Sequence, residues 1–356
     1  MIKERIQEIR NSIPFDSAVI INNDSDCFYF SGFNHSEGMV LITDRNAILF
    51  VDFRYIEAAK SVCKEIEVRL TSAFLKDIYE VLKSEKADIV YVQQGSVTLS
   101  QKKAFEEAFS GVCVSDEIDI DSVIKNMRAV KSDREISLIK SAQKITDKAF
   151  SYILNEISVG KTERELALDL EFFMRKNGSE GTAFDTICVS GKNSSKPHGV
   201  PSDKKIEKGD FITFDFGAVV GGYRSDMTRT VCVGKPTDKM LNVYNTVLKA
   251  QTEALKAIKA GVKCKDIDKV ARDIIDGAGF KDCFGHGLGH SVGIDIHENP
   301  SFNTRCETVT ECGMVITVEP GIYLENEFGV RIEDMIIVTN NGCKNITKSN
   351  KKLIII

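Results

Sequence analysis

No stretch of the sequence suggests a membrane span, because its longest uncharged apolar runs fall well short of the roughly 20 residues such a helix needs. No basic stripe stands out either. A formal net charge of −5 and a pI near 5.7 argue against nucleic acid as a partner. The first ten residues set apolar side chains at helical spacing among charges, so a signal-peptide core is missing. Ten cysteines are scattered singly without a Cys-x-x-Cys, in a chain large enough not to need disulfide staples. Reduced thiols and a cytoplasmic location are therefore expected, with no membrane partner. No convincing internal repeat is visible, and histidine is scarce, with five in 356 residues.

What is present is the composition of a globular protein, 42% hydrophobic and 28% charged, at a length that favours about two domains. Strand-like runs at 17–21, 39–43, 47–52 and 88–93 alternate with helical patterns at 2–13, 55–63, 75–86 and 101–109. This predicts an α/β domain over residues 1–125. Residues 127–132 lead into a long helical pattern from 133 to about 155, which opens a second domain spanning 126–356. Thr162 and Glu165 have the spacing of a capping box, starting a helix that ends near Asn177-Gly178. Two further helical patterns, 237–259 and 264–277, separate two candidate hairpins.

Those hairpins carry the chemistry. In Phe211-Ile212-Thr213-Phe214-Asp215-Phe216-Gly217, alternation with period two puts Phe211, Thr213 and Asp215 on one face of a strand. After Gly221-Gly222, the returning run shares a face among Arg224, Asp226, Thr228 and Thr230. A loop centred on 219–222 would set Asp215 directly opposite Asp226, with Cβ atoms about 4.5–5.5 Å apart. Like charges that close repel unless a cation joins them. A second hairpin, centred near Asn326, would pair Glu319 of Val315-Ile316-Thr317-Val318-Glu319 with Glu333 of Gly329-Val330-Arg331-Ile332-Glu333. Two divalent cations would balance these four charges and leave a bridging water or hydroxide as nucleophile. Four surface acids on edge strands would be the bland alternative. It fits poorly, because Asp215 and Glu319 are embedded in apolar runs where an unpaired charge is costly.

Three of the five histidines fall in Gly285-His286-Gly287-Leu288-Gly289-His290-Ser291-Val292-Gly293-Ile294-Asp295-Ile296-His297. Glycines at 285, 287 and 289 would each cost a helix about 1 kcal/mol, so an extended loop that aims several imidazoles into one cavity is expected. For any one of them alone, ordinary hydrogen bonding would be the simpler account.

With these motifs the chain resembles the methionine aminopeptidase, aminopeptidase P, prolidase and creatinase superfamily of pita-bread metallopeptidases, peptidase family M24, on the Xaa-Pro branch. The resemblance spans essentially the whole chain and is strongest over 184–339. It implies an α/β N-terminal domain of the creatinase/prolidase type, carried by 24–33 and 51–55, before an α+β pita-bread catalytic domain with two similar halves. It also implies five metal ligands, Asp215, Asp226, His290, Glu319 and Glu333, holding two divalent ions: manganese first, with cobalt, iron or zinc as alternatives. His198, His286 and His297 match histidines that bind substrate and stabilise the tetrahedral intermediate, and Arg331 matches the family's active-site arginine. Arg331 could orient an acidic ligand or the substrate, or form an ordinary salt bridge with Asp226 or Glu333. Ser291 departs from the family, standing where relatives commonly carry glycine.

The implied reaction is hydrolysis of the bond before a proline in the second position of small peptides, with Glu319 as general base and His297 beside the oxyanion. An Xaa-Pro aminopeptidase is the first expectation, a prolidase restricted to dipeptides the alternative, and a non-catalytic peptide-binding module the third. Intact ligands count against the last and against a creatinase-like enzyme. A homodimer is expected, in which His35 could reach a partner's site, although a plain loop role explains it more simply.

Overall fold

Hydrophobic alternation resolves, in the computed structural model, into two separate packing units, Met1–Met127 and Arg128–Ile356. The structure describes residues 1–34 and 37–356, so His35 lies outside the described residues. In chain order the first unit comprises α1 (Ile2–Asn11), β1 (Ser17–Ile21), α2 (Asp24–Ser31), β2 (Met39–Thr43), β3 (Ala47–Val51), α3 (Ile56–Val62) and β4 (Glu67–Leu70). It continues with α4 (Phe74–Glu85), β5 (Ile89–Val92), α5 (Leu99–Ala108), β6 (Cys113–Ser115) and α6, whose range Ile120–Ala129 runs just past the division.

The six strands form one mixed sheet in the order β4-β3-β2-β1-β5-β6, with β1 antiparallel to β2 and parallel to β5. Ala18, Ile20, Leu41, Phe50 and Val90 pack with Ile78 and Leu82 of α4 and Phe105 of α5. The alternate residues of β1, Val19 and Ile21, are equally buried, as in a sheet covered on both faces. Four elements of this unit, α2, β4, β6 and α6, have no counterpart among the patterns read from the sequence. Helix α2 is short and lacks an apolar stripe, its start fixed instead by Asn23, whose side chain accepts from Asp26 N. Strands β4 and β6 are edge strands of four and three residues, too short to show a period.

The second unit repeats a helix-pair and hairpin pattern. Helices α7 (Asp133–Glu156) and α8 (Glu163–Lys176) precede β7 (Ile187–Ser190), a 3₁₀ turn at Gly191–Ser195, and β8 (Phe211–Phe216). A short ribbon of β9 (Val219–Val220) and β10 (Tyr223–Arg224) leads to β11 (Met227–Cys232). Both helices open on reciprocal capping boxes, Ser132 with Glu135 and Thr162 with Glu165, the second as the sequence predicts. Helices α9 (Asp238–Ala257) and α10 (Cys264–Gly277) then precede β12 (Gly289–Ser291), β13 (Glu298–Phe302), β14 (Val315–Val318), β15 (Gly321–Leu324), β16 (Phe328–Arg331), β17 (Asp334–Thr339) and β18 (Gly342–Asn345).

Alternation sorts the strand side chains. Ile212, Phe214, Phe216, Met227 and Val231 pack on α7 and α8, while Ile316, Val318, Val330 and Ile332 pack with α9 and α10. The intervening residues, Thr213, Asp215, Thr228, Thr230, Thr317, Glu319, Arg331 and Glu333, are left to the opposite faces. There the halves meet: Glu333 N donates to Thr228 O at 3.1 Å and Arg331 N to Thr230 Oγ1 at 3.3 Å. Among the described residues no helix is long and apolar enough to cross a membrane.

Candidate metal centre

Gly221 and Gly222 both adopt left-handed φ, +56° and +76°, which makes them the central pair of a two-residue hairpin loop. The loop is thus centred one residue later than the sequence suggests, and the register moves by two. Asp215 pairs with Thr228, not with Asp226. The ladders on either side, Met227 with Phe216 and Arg224 with Val219, share one register, which carries Asp226 to the level of Gly217. A two-residue shift keeps every side chain on its face, so the two aspartates stay together as diagonal neighbours, typically about 7–8 Å apart. Gly217 is obligatory here, since a Cβ would stand 1.8 Å from Ser225 O.

The second hairpin keeps the expected centre. Asn326 has φ +60°, and the pairings Gly321 with Arg331 and Val318 with Asp334 share one register that brings Glu319 opposite Glu333. His290 arrives on β12, which runs against β14 so closely that a Cβ on Gly289 would lie 2.0 Å from Thr317 O. His290 N donates to Thr317 Oγ1 (3.0 Å), and that hydroxyl donates to Glu319 Oε1 (3.2 Å).

The side chains converge. His290 Nε2 is 3.3 Å from Glu319 Oε1 and 3.5 Å from Asp226 Oδ2, and ligand atoms of Asp226, His290 and Glu333 lie within 4.8 Å of one another. All five candidate ligands line one cavity of about 810 Å³, together with His198, His286, His297 and Arg331.

The donor set fits cations. Asp215 Oδ1, Asp226 Oδ1 and Glu333 Oε1 are buried with no hydrogen-bond partner, an arrangement that costs at least about 1–3 kcal/mol per group if nothing neutralises it. Burial, reinforced by neighbouring carboxylates, pushes Asp226 and Glu333 well above the usual carboxylate range. Burial likewise raises Glu319 to about 8. His290 is lowered to about 4 by burial and by His297, so its imidazole is neutral at pH 7 with a lone pair free to ligate. Oxygen-rich donors with one imidazole suit manganese, cobalt or iron at least as well as zinc.

Arg331 does not pair with Asp226 or Glu333. Its Nη2 lies 2.6 Å from Asp215 Oδ2, because the two halves pack with β16, which ends at Arg331, against β8. Its Nε donates to Thr228 Oγ1 (2.9 Å), which in turn donates to Glu333 Oε2 (2.8 Å). Tyr323, absent from the sequence reading, joins the group: its hydroxyl accepts from Arg331 Nη1 (2.7 Å) and meets His286 Nε2 (2.9 Å). Burial raises that phenol to about 12, so it stays protonated, and burial together with Arg331 lowers His286 to about 4. Alternation could have found Tyr323, which follows Glu319 by four residues. Arg305, Asn303 and Ser301 also line the cavity without a motif to mark them.

A model of metallopeptidase family M24 matches residues 137–340, and a model of the creatinase/prolidase N-terminal domain matches residues 5–130. The chain belongs to metallopeptidase family M24. It is a hydrolase with the pita-bread fold behind a creatinase-type N-terminal domain, and the family's dinuclear divalent-metal chemistry agrees with the carboxylate cage. The chain is 41% identical to an Xaa-Pro dipeptidase of Pyrococcus furiosus over 99% of its own length and 100% of that protein's. Among solved structures it resembles an Xaa-Pro dipeptidase from Bacillus anthracis, at 40% identity and TM-score 0.94, with both chains covered fully. It also resembles an X-Pro aminopeptidase from Thermotoga maritima, at 38% identity and TM-score 0.92, covering 98% of this chain and 100% of that one.

Proposed function

We propose that this M24 metallopeptidase is an Xaa-Pro dipeptidase, a prolidase, acting in the cytoplasm as a homodimer. The observation that carries the reading is full-length similarity to Xaa-Pro dipeptidases from two organisms. It reverses the order expected from sequence, where the aminopeptidase came first. In this proposal Asp215, Asp226, His290, Glu319 and Glu333 hold two divalent ions, with manganese preferred, within the functional domain 126–356 that follows a domain of residues 1–125. When bound, such ions polarise a carbonyl and acidify water. The chain's own groups do the rest. The Glu319 carboxylate takes the proton of the attacking water and returns it to the prolyl nitrogen. His297, whose ring centroid lies 4.4 Å from that of His290, donates to the developing oxyanion. His198 and His286 orient the peptide, His286 being held by Tyr323. The ten free cysteines support a reducing compartment, and solution mass would check the dimer.

Arg305 gives the dipeptide preference a chemical basis. Among the described residues it is the one arginine or lysine lining the cavity without an acidic partner, Arg331 being paired with Asp215. A free prolyl carboxylate would suit it. The aminopeptidase remains a second reading because of the similarity to the Thermotoga maritima enzyme. Comparing Xaa-Pro with Xaa-Pro-Yaa hydrolysis under added Mn²⁺ decides between them. We expect dipeptides to be cleaved at least about tenfold better, with Arg305→Ala raising KM for dipeptides by about 10–100-fold, the loss of a charge-assisted contact of 1.5–3 kcal/mol. Equal cleavage of tripeptides would overturn the dipeptidase reading.

A further inference from the structure

The strand pair that carries His290 is irregular. His290 lies opposite Ser301 on β13, whereas the next residue, Ser291, lies opposite Glu298. Asn299 and Pro300 are therefore extra on β13, a bulge of the kind that re-aims side chains beside functional sites. The segment between Ser291 and Glu298 turns back so that the His297 ring stands edge-on to His290.

A buried ion cluster sits on this break. Lys131 Nζ is 2.7 Å from Ser291 Oγ and 3.2 Å from Glu298 Oε2, so one ammonium bridges the two residues that face each other past the bulge. Its side chain is 1% exposed and that of Glu298 is 6%. Arg128 binds the other oxygen of Glu298 and, at 2.6 Å, Asp295 Oδ2. Glu298 Oε1 also accepts from Asp295 N at 3.1 Å. The carboxylate passes so close to the backbone that a Cβ on Gly293 would stand 2.5 Å from it. Ser291 adds a tie to the next strand, donating to Val315 O at 2.9 Å. None of these residues is a candidate ligand. Buried ions of this kind are a weak source of stability, because apolar side chains of similar volume usually fold as well or better. What the cluster does supply is a fixed geometry at the one place where β12 and β13 lose register.

We propose that Lys131 and Glu298 are positioning residues of the metal centre: bridging Ser291 and Glu298 across the bulge, they hold His290 and His297 at the angle the site needs. This rests on His290 being a metal ligand. The test uses the full chain, with Mn²⁺ affinity measured by titration calorimetry, Tm measured without metal, and kcat and KM on an Xaa-Pro dipeptide. Glu298→Gln should weaken Mn²⁺ binding by about 10–100-fold, the range for groups that orient metal ligands, and lower kcat with little change in KM. The paired change Lys131→Met with Glu298→Leu separates positioning from folding. It should restore the metal-free Tm while Mn²⁺ affinity stays at least about tenfold down. Variants whose Tm changes while Mn²⁺ affinity stays at the wild-type value would overturn the proposal. A wild-type chain that binds no Mn²⁺ would instead sink the metal-centre reading itself, and the role of Glu298 with it.

Discussion

Asp226 carries an unsatisfied oxygen, a raised proton affinity and three carboxylate neighbours, all in one buried position. Asp226→Asn should therefore act in opposite directions on two readouts. Without metal, one crowded carboxyl group is gone and Tm should hold or rise. With Mn²⁺, affinity and turnover should fall by at least about 100-fold, more than the 10–100-fold typical of groups that only orient ligands. Calorimetry and dipeptide turnover read both, and normal turnover would remove Asp226 from the site. Tyr323 makes a gentler case, since its hydroxyl joins His286 to Arg331. Tyr323→Phe leaves both without that partner, a cost of about 1–3 kcal/mol, and should reduce kcat/KM by about tenfold or more. Unchanged kinetics would confine Tyr323 to packing.

Strands decide how these residues meet, and close backbone approaches decide how strands meet. A methyl group on Gly289 would lie 2.0 Å from Thr317 O, so Gly289→Ala must part β12 from β14 and draw His290 away from Glu319. A destabilisation of about 1–3 kcal/mol is expected, with weaker Mn²⁺ binding. Gly277→Ala, at the end of α10 with open space around it, should instead gain about 0.4–1 kcal/mol and leave metal binding alone. Denaturant titrations distinguish the pair, and equal behaviour would mean the β12–β14 approach does not hold the site. At this scale much was legible: the period of 211–216 and 315–318 put Asp215 and Glu319 on faces turned away from the helices, and Asn326 marked the centre of its hairpin. The first hairpin was harder, because Gly221-Gly222 fits several loop lengths and only the positive φ of both residues selects the register. The partner of Arg331 was not legible at all. Asp215 lies 116 residues away, joined to it by packing of the two halves that no local pattern records.

Across the whole molecule, the same carboxylates and imidazoles set how stability depends on pH. Above about pH 7 His286 and His290 are neutral folded and unfolded alike, burial having lowered both from an ordinary 6.5 to about 4. Their contribution is fully present above 6.5, declines as pH falls from there, and is gone below about 4. The carboxyl groups act on the other flank. Glu319, ordinarily near 4.5, titrates at about 8 when folded, so the unfolded chain binds fewer protons between those values. Stability of the metal-free protein therefore falls as pH rises toward 8, by about 1.4 kcal/mol per pH unit from this residue alone, with Asp226 and Glu333 adding in the same sense. Divalent ions must displace these protons to bind. Mn²⁺ should accordingly raise Tm more at pH 8.5 than at pH 6.5, and calorimetry in buffers of different ionisation heat should detect proton release at pH 7 that shrinks by pH 9. Chelated protein whose Tm is flat from pH 7 to 8.5, with Mn²⁺ binding that releases no protons, would mean that the four carboxylates are not crowded into one buried centre.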